Sequence, residues 1–343
     1  MENSGKKLVG IGDLFIPCEY IEKGMASLRD YGIDVSTVVW KLSGFDELQH
    51  INLLVEQGER ENIPLPEDVL DALADAEIII TQFFPITKAV IDACPKLETI
   101  GVLRAGIENV NAEYAKEKGI RVFHAVGRNA HAVSDFAVGA IICEARNIAR
   151  GHYGIKNGQW IREYPNSASI PDLHGKTVGI IGYGEIGRLV QKKLSGFDMN
   201  VIAYDPYYHG SDVQTVDLET LMEVSDFVTI HARLTAENEH MINAELLARM
   251  KPTAYLINTS RSGLIDEEAL VAVLREHKIA GAFLDVFDHE PPAIDDPLVQ
   301  LDNVTLTPHM AGGSKDAFYN TPVLLADALI ENIQGKPTRF LVK

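Results

Sequence analysis

Three polar side chains each stand just past a short apolar run. Arg261 follows Tyr-Leu-Ile-Asn-Thr-Ser, Glu290 follows Phe-Leu-Asp-Val-Phe-Asp-His, and His309 follows Val-Thr-Leu-Thr-Pro. Runs of this kind read as buried parallel strands, and in open α/β sheets ligands bind outside the carboxyl ends of strands. The three residue types suit a carbonyl–alcohol redox reaction. Arginine can grip a carboxylate with a bidentate fork. Histidine can give or take the proton that accompanies hydride transfer, and a glutamate beside it favours the charged imidazolium. Taken singly, each has a plainer explanation: a surface arginine, a loop glutamate before Pro-Pro, a structural loop histidine. A fourth feature upstream gives the three a common purpose.

That feature is Val178-Gly-Ile-Ile-Gly182-Tyr-Gly184-Glu-Ile-Gly187, a strand running into Gly-x-Gly-x-x-Gly. Glycines also mark ordinary turns, so the context decides. Ile186, Leu189, Val190, Leu194 and Phe197 follow at helical spacing, and a second strand ends at Asp205. The stretch from Val178 to Asp205 is 28 residues counted inclusively, the length of a βαβ unit. Gly182 permits the tight turn, Gly184 lets a pyrophosphate approach the backbone, and Gly187 allows close helix–sheet packing. The helix start offers free N–H groups and its positive dipole end to the phosphates. Asp205 can accept from ribose hydroxyls and would repel a 2′-phosphate, which favours NAD over NADP.

The elements that must position these residues alternate strand and helix throughout. In the first part, strands are expected at Leu8–Gly12, Val35–Trp40, Ile78–Thr81, Ile100–Leu103 and Val122–His124, with amphipathic stretches at Leu48–Gln57 and Val69–Ala76 between them. A single long helix is expected from Ala130 to about Arg150, then a polar, irregular segment Tyr153–Pro171. A second series follows, with strands at Val178–Ile181, Val201–Tyr204, Phe227–Ile230, Tyr255–Ile257, Ala282–Asp285 and Val304–Leu306 and with helix N-caps at Asn243 and Asp266. A last helix is expected over Lys315–Gln334. The fold class is α/β: two Rossmann-like or flavodoxin-like α/β domains, the NAD domain a doubly wound parallel sheet.

Composition narrows the function. The 343 residues suit two domains, and 46% apolar content suits packed cores. A net charge of −18 argues against nucleic-acid binding. Cys18, Cys94 and Cys143 are far apart and form no Cys-x-x-Cys pair, so neither a disulfide framework nor a zinc site is expected, and no metal is assigned. The amino-terminal stretch has no secretory h-region, and no apolar run reaches the ~18–20 residues of a membrane span, so a soluble, cytoplasmic protein with no membrane partner is expected.

The second series resembles the D-isomer-specific 2-hydroxyacid dehydrogenase family through VGIIGYGEIGRLV, LMEVSDFVTIHARLT, MKPTAYLINTSRSGLID, GAFLDVFDHEPP and TPHMAGGS, in that order. The first part is similar more weakly, through CPKLETIGVLRAGIENVN and GRNAHAVSDFAVGAI. The resemblance implies NAD as cofactor and interconversion of a D-2-hydroxy acid with a 2-keto acid, a small-molecule substrate. It implies that Arg261 binds the substrate carboxylate and carbonyl, that His309 is the acid/base and that Glu290 pairs with it. Asp285 would accept from the nicotinamide amide. Glu185, Ile186, Ala232, Arg233, Thr259 and Gly312 would also lie against the cofactor, and the turn carrying Arg104, Ala105 and Gly106 would give backbone N–H groups to the substrate. It further implies a bilobal chain, with a substrate domain of residues 1–128 plus 314–343 and an NAD domain of 129–313. The 153–171 segment would form part of a dimerisation arm, and a homodimer is expected.

Three departures from the family pattern stand out. Arg233 replaces a usual proline, Ser262 a usual glycine, and the stretch from Arg104 to Asn111 lacks a second glycine. A member like 3-phosphoglycerate dehydrogenase is the subgroup expected, with Arg104 and Lys88 as candidate phosphate contacts, although a plain surface role is commoner for both. A formate dehydrogenase is disfavoured, because that relative carries glutamine where Glu290 stands. The alternative from another class is a non-enzymatic NAD(H)-sensing protein of the corepressor type on the same fold.

Overall fold

The computed structural model describes residues 5–342. The chain divides into two compact units, one formed by the chain up to Arg128 and from Ser314 onward, the other by Asn129–Gly313.

The first unit holds a five-stranded parallel sheet of β1 (Lys6–Gly12), β2 (Ile33–Val39), β3 (Ile78–Thr81), β4 (Thr99–Val102) and β5 (Arg121–His124), in the order β2-β1-β3-β4-β5. Successive side chains leave a strand on opposite faces. Val9, Ile11, Ile79, Ile100 and Val102 therefore enter one core, while Leu8, Ile78, Ile80 and Phe123 enter the other. Burial on both faces is why the strands read as unbroken apolar runs rather than as alternation. The helix Lys315–Ile333 closes the second core with Leu325, Ala328 and Leu329. It runs close beside the helix Cys18–Gly24, where a Cβ on Gly24 would strike Pro322 Cβ.

The second unit holds β6 (Thr177–Ile181), β7 (Asn200–Tyr204), β8 (Gln214–Thr215), β9 (Phe227–Ile230), β10 (Tyr255–Asn258), β11 (Gly281–Leu284) and β12 (Val304–Leu306), all parallel, in the order β12-β11-β10-β9-β6-β7-β8. One sheet face carries Val178, Ile180, Tyr255 and Ile257, the other Ile181, Val228, Ile230 and Leu256. The sequence led us to expect six strands here. The seventh, β8, is a two-residue edge strand of exposed Gln214 and Thr215 that has no apolar signature.

One expected helix is two. The helix from Ala130 ends at Arg146, Asn147 takes the left-handed conformation at φ 51°, and a second helix runs Ile148–Lys156. Asparagine tolerates that conformation, and this one is fastened there: its Nδ2 donates to Asn166 Oδ1 at 2.9 Å and its Oδ1 accepts from Arg150 Nη1 at 3.3 Å. Arg150 meanwhile reaches back to the fully buried Glu144 at 2.8 Å. The 153–171 segment is accordingly less irregular than expected, helical to Lys156 and with a 3₁₀ turn at Ser167–Ser169. The N-caps at Asn243 and Asp266 form, accepting from Leu246 N and Ala269 N.

Candidate active site

In the second unit the sheet order reverses between β6 and β9, the place where doubly wound sheets open a crevice. Gly182 ends β6 with φ +90°, and a Cβ on it would meet Ala232 N, just past β9, at 2.5 Å. Gly184 caps the helix Glu185–Leu194 and has open space where a Cβ would be, whereas a Cβ on Gly187 would strike the Gly182 carbonyl oxygen at 2.5 Å. Glu185 opens that helix and Ile186 packs toward the core beneath it. The Asp205 carboxylate ties down the glycine turn, accepting from Tyr183 N at 2.8 Å and from Tyr207 N at 2.9 Å. Beside Asp205 lies a cavity of about 530 Å³, lined also by Tyr204, Tyr208, Thr215, Val216 and Asp217. An open glycine at a helix start, a carboxylate past the next strand and an adjoining cavity fit the phosphates, ribose and base of a dinucleotide. His231 beside this turn stays neutral: burial pushes its imidazole down to about 3, and Nε2 lies 3.0 Å from Thr229 Oγ1. Arg233 is exposed, its carbonyl accepting from Asn238 Nδ2 at 2.8 Å.

At the same sheet edge, His309 Nδ1 stands 2.8 Å from Glu290 Oε2, with both side chains part-exposed. With Nδ1–H donating to the carboxylate, Nε2 is left to exchange a proton. Glu290 is itself held, because its Oε1 accepts from Phe287 N at 3.1 Å. His309 has φ +48°, a conformation that L residues adopt at a cost. The constraint comes from Asp285, which has no exposed surface. Its Oδ1 accepts from Thr307 Oγ1 at 2.6 Å and Met310 N at 2.9 Å, and its Oδ2 accepts from Ala311 N at 2.8 Å. Asp285 thus brackets His309 from both sides, a positioning task that the sequence did not disclose. Gly312 closes the loop against Asn129, whose Nδ2 would lie 2.5 Å from a Cβ there.

Arg261 is exposed and, among the described residues, donates only to the Ser260 carbonyl, at 2.7 Å. Its turn is built by Asn258, which sequence reasoning missed. Asn258 Nδ2 donates to the Arg261 carbonyl at 2.9 Å, while Oδ1 accepts from Ser260 N at 3.0 Å and Ser260 Oγ at 2.8 Å. The available signal was an Asn-Thr-Ser step at a strand end, the composition of an Asx turn. Thr259 beside it is buried, and its Oγ1 has no hydrogen-bond partner among the described residues. Ser262 needs no glycine, since its φ is not positive.

In the first unit, the turn Arg104–Gly106 leaves the end of β4. Ala105 O lies 2.6 Å from His124 Nδ1, and Gly106 lies under the Glu108 carboxylate, which a Cβ there would strike. The Arg104 guanidinium is occupied by Asn52 Oδ1 at 2.8 Å, Glu108 at 3.2 Å and Glu56 at 3.4 Å, and it lies over the Phe83 ring. Lys88 lies over the Tyr114 ring. The Arg104 guanidinium is thus already committed to carboxylate and amide partners, whereas Lys88 is exposed.

Comparison with known proteins agrees with this geometry. The family profile "D-isomer specific 2-hydroxyacid dehydrogenase, NAD binding domain" matches residues 138–311. A glyoxylate reductase of Thermofilum pendens is 40% identical over 288 residues, covering 81% of this chain and 85% of the relative. A D-3-phosphoglycerate dehydrogenase of Methanocaldococcus jannaschii is 36% identical over 295 residues, which are 83% of this chain but 56% of that protein. The crystal structure of a D-lactate dehydrogenase from Treponema pallidum superposes with TM-score 0.76 at 25% identity, covering 98% of this chain and 99% of that one. The chain belongs to the D-isomer specific 2-hydroxyacid dehydrogenase family. It is an NAD-dependent oxidoreductase of D-2-hydroxy acids.

Proposed function

We propose that the chain reduces a small 2-keto acid to the D-2-hydroxy acid, and runs the reverse oxidation, with His309 as the proton donor and acceptor. The observation that carries this is the His309–Glu290 contact at 2.8 Å on the edge of the sheet that holds the glycine turn. NADH, when bound, supplies the hydride that goes to the keto carbon. As the carbonyl oxygen gains charge it takes the proton from His309 Nε2. The Glu290 carboxylate, held by Phe287 N, fixes the ring orientation through Nδ1 and leaves Nε2 to face the substrate. Arg261 is assigned to the substrate carboxylate, since its fork is exposed and, among the described residues, makes no bond beyond the Ser260 carbonyl. The Arg104–Gly106 turn is assigned to carboxylate oxygens through backbone N–H groups. The cofactor is assigned to Gly182, Gly184, Gly187, Asp205, Ala232 and Thr259, with Glu185, Ile186, Arg233 and Gly312 around it. Asp285, expected against the nicotinamide amide, is fully buried with both carboxylate oxygens taken by Thr307, Met310 and Ala311, and is assigned instead to holding His309.

The purified protein should oxidise NADH with a panel of 2-keto acids. His309→Ala should lose ~10²–10⁴ in kcat, the usual contribution of a general acid, while NADH fluorescence titration is unchanged. Near-native turnover in His309→Ala would remove the assignment.

A cytoplasmic homodimer completes the proposal. Cys18, Cys94 and Cys143 are unpaired, and no helix among the described residues is long and apolar enough to cross a membrane. Ile148, Tyr153, Ile155, Trp160 and Ile161 are all well exposed within one short stretch of the chain, apolar side chains that a second copy of the chain would cover. Light scattering at micromolar concentration should give twice the 37.7 kDa chain mass, and Trp160→Asp should shift it toward the monomer. A native monomer at that concentration would rule the dimer out.

A further inference from the structure

The five-stranded sheet has a switch point of its own, between β1 and β3, where sheets of this order place ligands. Gly10 pairs with Ile80, so three residues further on Asp13 stands beside Phe83, with Gln82 just before it. Both side chains are deeply buried, Asp13 at 7% and Gln82 at 1% exposure. Asp13 Oδ1 accepts from Phe15 N and Ile16 N, each at 2.9 Å. Its Oδ2 has no hydrogen-bond partner among the described residues, and neither do Gln82 Oε1 and Nε2. Arg128, just beyond β5, joins them: its charge acts on Asp13, and its Nη1 is buried and equally unpartnered. Two acceptors and two donors are therefore unsatisfied at one sheet edge. Native proteins leave few such groups, and each costs about 1–3 kcal/mol.

The surroundings are apolar. Phe15 stacks on Phe318 at 5.0 Å and lies 6.0 Å from Phe83, and the Arg128 guanidinium covers Phe318 at 4.9 Å. Burial pushes the Asp13 carboxyl up to about 6 and Arg128 down to about 10, the nearby Arg104 charge adding to the second shift. Polar groups so placed are worth more to a matching ligand, and cost more with a mismatched one, than they would in water. The neighbouring strand β4 carries the Arg104–Gly106 turn at the same edge.

We propose that this crevice receives the substrate's side chain and selects a hydroxylated one, through Asp13, Gln82 and Arg128. The inference rests on the keto-acid activity proposed above. A hydroxyl suits the mixed set, because its O–H can donate to Asp13 Oδ2 or Gln82 Oε1 while its oxygen accepts from Gln82 Nε2 or Arg128 Nη1. An aliphatic side chain would leave all four groups unmatched. An anionic one would suit Arg128 but confront the Asp13 carboxylate, and Arg104 is already taken by Asn52, Glu56 and Glu108.

The test compares hydroxypyruvate with pyruvate, which differ by one hydroxyl on the same skeleton, and with oxaloacetate, which carries a carboxylate there. A site built to bond a hydroxyl rejects the analogue lacking it by up to ~10⁴–10⁵, so kcat/KM for hydroxypyruvate should exceed that for pyruvate ~10²-fold or more, and exceed that for oxaloacetate as well. Asp13→Asn and Gln82→Leu should shrink the hydroxypyruvate-to-pyruvate ratio tenfold or more, chiefly through KM for hydroxypyruvate. A native ratio near one, or a preference for pyruvate or oxaloacetate, overturns the proposal even if neither variant folds. Calorimetric titration of the NADH-loaded protein with D-glycerate and D-lactate separates this proposal from the activity. If no keto acid is turned over, the activity fails; D-glycerate binding at least tenfold tighter than D-lactate would still uphold the crevice, and equal binding would overturn it.

Discussion

Asp285→Asn is the substitution that most directly probes how His309 is held. The carboxylate accepts three hydrogen bonds, two part-buried ones at Oδ1 from Thr307 Oγ1 and Met310 N and a buried one at Oδ2 from Ala311 N. An asparagine can keep the first two with its amide oxygen, but its NH₂ then faces the Ala311 N–H, donor against donor. Ala311 is 4% exposed, so that N–H has no recourse to water, a loss of about 1–3 kcal/mol. The two surviving bonds lose their charge assistance, about 1 kcal/mol each. The sum, about 3–5 kcal/mol, is a large part of a domain's ~5–15 kcal/mol. The strained backbone at His309 would relax once the loop loosened, and misplacement of a reacting group by about 1 Å can cost ~10²-fold. Urea unfolding should therefore show the stability loss, and NADH oxidation should show kcat down by about 10² or more. Thr307→Val removes a single one of the three bonds and should cost about 1 kcal/mol and less than tenfold in kcat. A native urea midpoint together with native turnover in Asp285→Asn would refute the claim that this carboxylate sets the histidine.

Asp205→Ala should free the glycine turn of its side-chain clamp and narrow the preference for NADH over NADPH tenfold or more in fluorescence titration; an unchanged preference would remove Asp205 from cofactor selection. Asp13 gives a pH signature. Its carboxyl is raised from 3.8 to about 6 by burial, so the fold favours the protonated form, and stability from this group is full below pH 4 and declines as pH rises to about 6. The shift corresponds to about 3 kcal/mol. Asp13→Asn should therefore stabilise the protein by up to that amount at pH 7 and have little effect at pH 4, as measured by urea midpoints; the opposite pH trend would contradict the burial argument.

The strands that could be read from the sequence were those buried on both faces, because Leu8–Gly12 or Tyr255–Ile257 carry their signal as unbroken apolar runs. β8 could not be, since Gln214 and Thr215 lie exposed at an edge and pair only through backbone. The break at Asn147 was equally hidden, because what holds it is a set of partners, Asn166, Arg150 and Glu144, brought together by folding. At the candidate site, residue types pointed to Glu290 and His309, whose chemistry is carried by the side chain itself. Asn258, Gln82 and Asp13 escaped notice because their importance lies in burial and in which of their atoms remain unmatched. Motif spacing encodes neither.

The first unit is discontinuous in sequence, and this bears on how the chain is made. Leu325, Ala326, Ala328 and Leu329, which cover one face of its sheet, come from the helix Lys315–Ile333. During synthesis, at ~5–20 residues per second, strands β1 to β5 leave the ribosome first with Ile16, Ile21, Met25 and Leu28 to cover part of that face, yet the rest waits for this helix until almost the whole chain has emerged. The second unit, continuous from Asn129 to Gly313, has all its own strands earlier. Vectorial synthesis thus reverses the usual order, with the later-encoded unit positioned to fold first. For about ten seconds or more at that rate, Ile80 and the neighbouring part of the sheet that Leu325 will cover are an exposed apolar surface, the kind of nascent segment that chaperones bind.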